Sequence, residues 1–389
     1  MKEKKNRKDI DLAALAQGRV TAKGKPKRNI RLIVVNTICS LTLVASILAL
    51  SGILFLGARP FALGGEAVIP EDIIPSPSMN QSNILITGYD MEENLADIIM
   101  VVSMDLQNNK ASILQIPRDT YVDAKEGRIT GSSKINASYS QAKAGTSKFG
   151  AMMKMVNQNF GMPLDGYVGI TIEGFRRIVD AVGGVDIEIT SPSGLTLEIW
   201  EGGQRNVHLE QGMVHLNGAY AEGIMRKRKG KTAEGYGSGS DINRAKMQRS
   251  FYAALMRKLM DVTPSQLFTL VRTCYSQINS SFSVNEMLGY AKKLKELEMS
   301  DIDIYTLPGQ GVMAKTTTLG QNISLYSIHL NEYIELYNTR LRHHNDPITE
   351  AQVRAREIFK VKTADEAAPG GTLDEVSGIG PKPKTNSGG

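Results

Sequence analysis

Apolar positions follow distinct rhythms along the chain. Residues 32–58 form an uncharged run, mostly Leu, Ile, Val, Ala and Phe, long enough to cross the roughly 30 Å hydrocarbon layer as one helix. β-branched runs at 84–87, 98–104, 111–116, 167–172 and 185–189 have the length of strands. Between them, helical spacing predicts helices near 147–160, 173–182 and 244–261, the last with a stripe of Met247, Phe251, Leu255 and Leu259. Strands alternating with helices predict an α/β layered domain. Helical patterns at 283–297 and 323–342 surround a strand-like DIDIYTL, so residues 263–362 are either an α/β extension or a flank of the same domain.

Residues 59–82, with Pro60, Pro70, Pro75 and Pro77 beside Gly64 and Gly65, read as a linker, and the aperiodic residues 363–389 as a disordered tail. Charge then sets the orientation. The formal net charge is +6, but residues 1–31 hold eleven of the 46 Lys and Arg against three of the 40 Asp and Glu, leaving 35 cations and 37 anions elsewhere. The folded part has no surplus with which to follow a nucleic-acid backbone, and nucleic acid is set aside as a partner. Lys23, Lys25, Lys27, Arg28 and Arg31 precede the apolar run and only Arg59 follows closely. The positive-inside rule makes 1–31 cytoplasmic and puts everything after residue 60 outside, on a single-pass protein of the cell membrane whose direct partner is the lipid bilayer. A cleaved signal peptide, with small residues Ala62 and Gly64 near a cut, fits less well because the run and its basic leader are too long. Cys39 and Cys274 lie far apart, the first inside the apolar run, so no disulfide framework is expected.

Charged residues converge in two regions. NILITGYD…ADIIMVVSMDLQNNKASILQIPRDT reads as three strands with a turn at Asn108-Asn109. If sequence neighbours pair antiparallel, Asp90, Asp97 and Arg118 share one rim. Two carboxylates there suit a hard cation such as Mg²⁺, and a guanidinium suits a phosphate. The plainer reading pairs Arg118 with Asp119 or with one of those carboxylates. In the second region an extended RKR would send Arg226 and Arg228 one way and Lys227 the other, and Asp241 is placed to cap a helix with Arg244 and Gln248 on its inward face. An inward Arg244 needs an anion, either Asp241 or a bound phosphate. Gly-rich residues 229–240 read as a loop and not a phosphate cradle, since position 225 is Met. The five histidines form no HExxH, no GxSxG is present, and His343-His344 reads as solvated surface.

GYD at 88–90, Asp97 before a strand, IPRDTYV at 116–122, KINASY at 134–139, DAVGGVDIEI at 180–189, HLNG at 215–218, RKR at 226–228 and DINRAKMQ at 241–248 together resemble the LytR–CpsA–Psr family of cell-wall glycopolymer ligases over roughly 83–262. The resemblance implies a three-layer αβα sandwich with a central mixed sheet and an apolar pocket for a polyprenyl chain. It implies a phosphotransferase moving a glycopolymer, such as a teichoic acid or capsular polysaccharide, from a polyprenyl-pyrophosphate carrier to peptidoglycan, with Mg²⁺ or Mn²⁺ as cofactor. Residue by residue, Asp90 and Asp97 would be metal-associated and catalytic, together with Arg118. Arg118, Arg226, Arg228 and Arg244 would bind pyrophosphate, with Asp241 and Gln248 supporting them and Lys134 bordering the cluster. Either Asp90 or Asp97 would be the base. Glu92, Leu95 and Met247 stand where the family commonly carries Arg. A pyrophosphate hydrolase and a non-catalytic surface regulator that binds lipid-linked polymer are the rival functions.

Overall fold

A computed structural model describes residues 73–76, 78–90, 95–122, 128–140, 142, 147–200, 202–226, 241–274, 277–358 and 371–372. The expected cytoplasmic segment, the apolar run 32–58 and most of the linker and tail lie outside these residues. Among the described residues no helix is long and apolar enough to cross a membrane.

The three expected strands are β1 (Gln81–Asp90), β2 (Leu95–Asp105) and β3 (Lys110–Gln115), an antiparallel meander. Asn109 turns the second corner at φ 51°, a left-handed conformation that Asn tolerates. Then come α1 (Lys148–Phe160), β4 (Gly166–Thr171) and α2 (Ile172–Ala181). Thr171 caps α2 by accepting from Gly174 N at 2.9 Å, and Gly161 ends α1 at φ 66°. Strands β5 (Val185–Ile189), β6 (Leu195–Ile199), β7 (Arg205–Leu209) and β8 (Gly212–Leu216) lead to α3 (Gly218–Arg226), α4 (Asp241–Asp261) and α5 (Pro264–Cys274). The chain continues through β9 (Ile278–Ser280), α6 (Val284–Lys295), β10 (Ile302–Thr306), β11 (Gly309–Lys315), β12 (Asn322–Ile328), α7 (Leu330–Leu336) and β13 (Gly371–Thr372).

The main sheet has the order β13-β10-β3-β2-β1-β4-β9. It is mixed, since β4 runs parallel to β1 and β10 parallel to β3. Period-2 alternation sorts its side chains. Leu85, Ile99, Val101 and Leu114 meet Met152, Val156 and Phe160 of α1 and Tyr333 of α7 on one face. Ile113, Ile302 and Ile304 meet Ala253 of α4 and Leu294 of α6 on the other. The sheet is thus the middle of three layers. A smaller unit pairs β5 with β8 and β6 with β7, and its core of Ile187, Leu197 and Ile199 packs on Ile224 of α3 and on Met247 and Phe251 of α4. Here α3 presses on β6 at Gly223, where a Cβ would lie 2.9 Å from Ile199 Cδ1 and 3.1 Å from Glu198 O.

Two expectations fail. The helical pattern at 323–342 is first a strand, β12, which pairs with β11, and becomes helical only at α7, extended by a π turn over Tyr337–Leu341. Its apolar spacing fits either period, and pairing across the hairpin decides. His343-His344 is not solvated surface. His344 Nε2 donates to Asp105 Oδ1 at 2.8 Å, and burial lowers the basicity of His343.

Burial pushes the Asp105 carboxyl up, but hydrogen bonds from Asn108 and His344 outweigh it and bring it down to about 2, from an ordinary 3.8. A carboxyl depressed on folding adds stability above its unfolded pKa and loses it as pH falls through the folded value. The wild-type protein should therefore lose on the order of 2 kcal/mol between pH 4 and pH 2 that Asp105→Asn never has. Melting temperatures of both proteins across that window check it; parallel pH profiles would refute a stabilising role for the Asp105 carboxylate.

Candidate active site

The rim forms because strand pairing continues past the end of β3. Ile116 N donates to Ile99 O at 2.8 Å, which carries Arg118 opposite Asp97. Arg118 Nη1 donates to Asp97 Oδ1, so the plainer reading of Arg118 as an ion-pair partner is realised at the expected rim. Arg118 Nε is buried and has no hydrogen-bond acceptor among the described residues; Asp119 Oδ1 is 3.9 Å away. Asp119 instead takes Lys134 Nζ at 3.1 Å. A buried guanidinium N–H without an acceptor is costly unless an anion arrives.

Across the cavity from this pair, α3 supplies a second charged group. Glu222 is 2% exposed and accepts from Arg226 Nη1 at 3.0 Å and from Arg176 Nε of α2. A carboxylate this buried is tolerable because two guanidinium groups meet it. Arg226 is not in an extended stretch, as the sequence suggested, but closes α3, which makes Glu222 and Arg226 an i,i+4 pair. Gly218 lets α3 start against α2, where a Cβ would lie 2.5 Å from Arg176 O, and Asp180 Oδ1 accepts from Gly218 N at 2.7 Å. Glu222 and Arg176 escaped the sequence reading; the spacing to Arg226 was the available signal, hidden while α3 went unrecognised.

Gln248 sits 7% exposed beneath this end of α3. Its Nε2 donates to Met225 O at 3.2 Å, and its Oε1 accepts from Gln115 Nε2 at 2.6 Å. It braces the strand that delivers Arg118 against the helix that ends in Arg226. Met247 is 1% exposed and belongs to the apolar core, so packing occupies that position. Arg228 lies outside the described residues, as do the side chains of Asp90, Asp241 and Arg244. Helix α4 does begin at Asp241, and the Asp90 backbone pairs with Leu95.

Between the sheet and α2, α3 and α4 lies a cavity with about 1170 Å³ of empty space, its open mouth included. Asp97, Glu222 and Arg226 line it together with Ile86, Ile98, Met100, Val102, Ile113, Phe175, Ile178, Leu255, Met256 and Leu259. Along β2 the lining passes from Asp97 at the rim through Met100 to Val102, a depth of roughly 17 Å at strand rise. The result is an apolar slot with charge at its rim, suited to an amphiphile whose anionic head is followed by a long hydrocarbon. Among the described residues no three His, Cys, Asp or Glu side chains converge as metal ligands. The described donors fit Mg²⁺ as an ion shared between a rim carboxylate and substrate phosphate oxygens, the usual mode for this cation.

The LytR_cpsA_psr family model matches residues 69–339. The teichoic acid transferase TagV of Bacillus subtilis strain 168, described as polyisoprenyl-teichoic acid–peptidoglycan teichoic acid transferase, is 26% identical over 227 residues, 56% of this chain and 54% of TagV. The chain thus spans about half the length of that relative. TagU of Bacillus mycoides strain KBAB4, described in the same words, is 28% identical over 234 residues, 59% of this chain and 69% of TagU. The crystal structure of B. subtilis TagV superposes with a TM-score of 0.54 at 21% identity, covering 70% of this chain and 100% of that one, a likeness of fold.

Proposed function

The chain belongs to the LytR_cpsA_psr family, and from that premise we propose that it transfers a glycopolymer from a polyprenyl-pyrophosphate carrier to peptidoglycan. One observation carries the reading: the apolar cavity is lined at its charged end by Asp97, the ion-pair partner of Arg118, and by the Arg226–Glu222 pair. The prenyl tail fills the slot, which removes its methylenes from water at about 0.8 kcal/mol each. The pyrophosphate then sits at the rim, with Arg118 Nε as a donor in waiting.

In the reaction a peptidoglycan hydroxyl attacks the phosphorus that bears the glycan. The new P–O bond forms as the bond to the leaving polyprenyl phosphate breaks, and the hydroxyl proton passes to a rim carboxylate, Asp97 or Asp90. Arg118 and Arg226 stabilise the charge that spreads over the phosphate oxygens. Mg²⁺ or Mn²⁺, held by Asp97 together with phosphate oxygens, would neutralise that charge further. Incubating the full chain with labelled lipid-linked glycopolymer tests the reading. Label should enter peptidoglycan only when acceptor is supplied; release to water would make the protein a hydrolase, and no turnover a binding protein.

The same proposal places the chain in the cell membrane through residues 32–58, with the folded part outside. A tag after residue 62 should be reachable from outside intact cells and a tag near residue 5 should not. Reversed labelling would overturn the orientation.

A further inference from the structure

Beside the rim stands the only tryptophan of the chain, Trp200, directly after β6 and 42% exposed. Single exposed aromatics are ordinary, but the placement of this one is tightly specified. Arg226, which lines the cavity, has its Cζ 5.3 Å from the centre of the Trp200 ring. The guanidinium is itself anchored to buried Glu222 at 3.0 Å. Helix α3 and strand β6 are in close approach at Gly223, where a Cβ would lie 2.9 Å from Ile199 Cδ1 and 3.1 Å from the Glu198 carbonyl oxygen. The turn that follows is tight: Gly203 N donates to Trp200 O at 3.3 Å, with Gly202 and Gly203 at φ 72° and 111°. Ring, guanidinium and cavity rim therefore adjoin one another.

We propose that Trp200 is the sugar platform of this site, stacking against the first glycan ring beyond the pyrophosphate and favouring a glycan-bearing carrier over a bare one. The inference rests on the lipid-linked pyrophosphate reading above. A pyranose has an apolar C–H face and a polar edge of hydroxyls. An aromatic face, negative at its centre, attracts such C–H groups, and Trp offers the largest one. Arg226 lies over one face of the ring, so the sugar takes the other face of this 42% exposed side chain, next to a phosphate held by Arg226.

The test measures binding of two probes to the full chain in detergent: a polyprenyl pyrophosphate carrying one N-acetylhexosamine, and the same lipid without sugar. The wild type should bind the first about 5-fold more tightly. Trp200→Ala and Trp200→Leu should erase that preference while changing affinity for the bare lipid by less than about 2-fold, and Trp200→Phe should keep most of it. Equal weakening of both probes would mean that Trp200 merely props Arg226. Unchanged preference in the Leu variant would overturn the proposal as well. A wild type that binds neither probe would instead fail the lipid-linked reading itself, and this inference with it.

Discussion

Asp97→Asn is expected to lower transfer turnover by a factor on the order of 10² while leaving the protein folded. The substitution keeps the shape and leaves a carbonyl oxygen that still accepts from Arg118 Nη1, so the rim geometry survives. What disappears is the negative charge, needed to hold a cation or to take a proton. The side chains of Arg118 and Asp97 are 13% and 24% exposed, so water screens part of the pair and the stability loss should stay near 1 kcal/mol. Affinity for the lipid should change less than turnover, because Arg118 and Arg226 remain. Turnover, lipid affinity and melting temperature measured on one preparation separate the cases. Undiminished turnover would remove Asp97 from the chemistry, and early melting with proportionate loss of activity would make the pair structural.

Ile86→Trp should reduce affinity for a polyprenyl pyrophosphate by a factor on the order of 10² or more, since the added ring takes up space that several isoprene methylenes would fill. Ile86 lines the cavity from β1, and enlarging a residue that borders empty space forces less strain than doing so in a filled core. The melting temperature should therefore hold or rise. Isothermal titration with polyprenyl pyrophosphate, paired with thermal melts, reads both quantities. Full affinity in a folded Ile86→Trp protein would place the lipid elsewhere.

These expectations draw on residues that were unequally visible in the sequence. Asp97 and Arg118 were legible because one assumption, that sequence neighbours pair antiparallel, brings them together, and β1, β2 and β3 do pair that way. The stripe of Met247, Phe251 and Leu255 likewise fixed the buried face of α4. Local pattern fails where long-range pairing decides: Ile323 to Ile328 fit a helix until β11 claimed them as a strand. It fails again at α3, whose glycines, Gly218 and Gly223, argue against a helix locally and are required by the close approach of α2 and β6. With α3 unseen, the bridge from Arg176 to Glu222, 46 residues apart, could not be found. Nor could the cavity be read from sequence pattern: its apolar lining has the same composition as a filled core, and only the tertiary spacing of α2, α3 and α4 leaves it open.

The most direct measurement of the central claim is a crystal structure of the protein with a polyprenyl pyrophosphate bound. The account predicts prenyl carbons running between Val102, Phe175 and Leu259 and a diphosphate within hydrogen-bond distance of Arg118 Nε and Arg226. Lipid bound on the outer surface, with the slot between sheet and helices left unfilled, would contradict it.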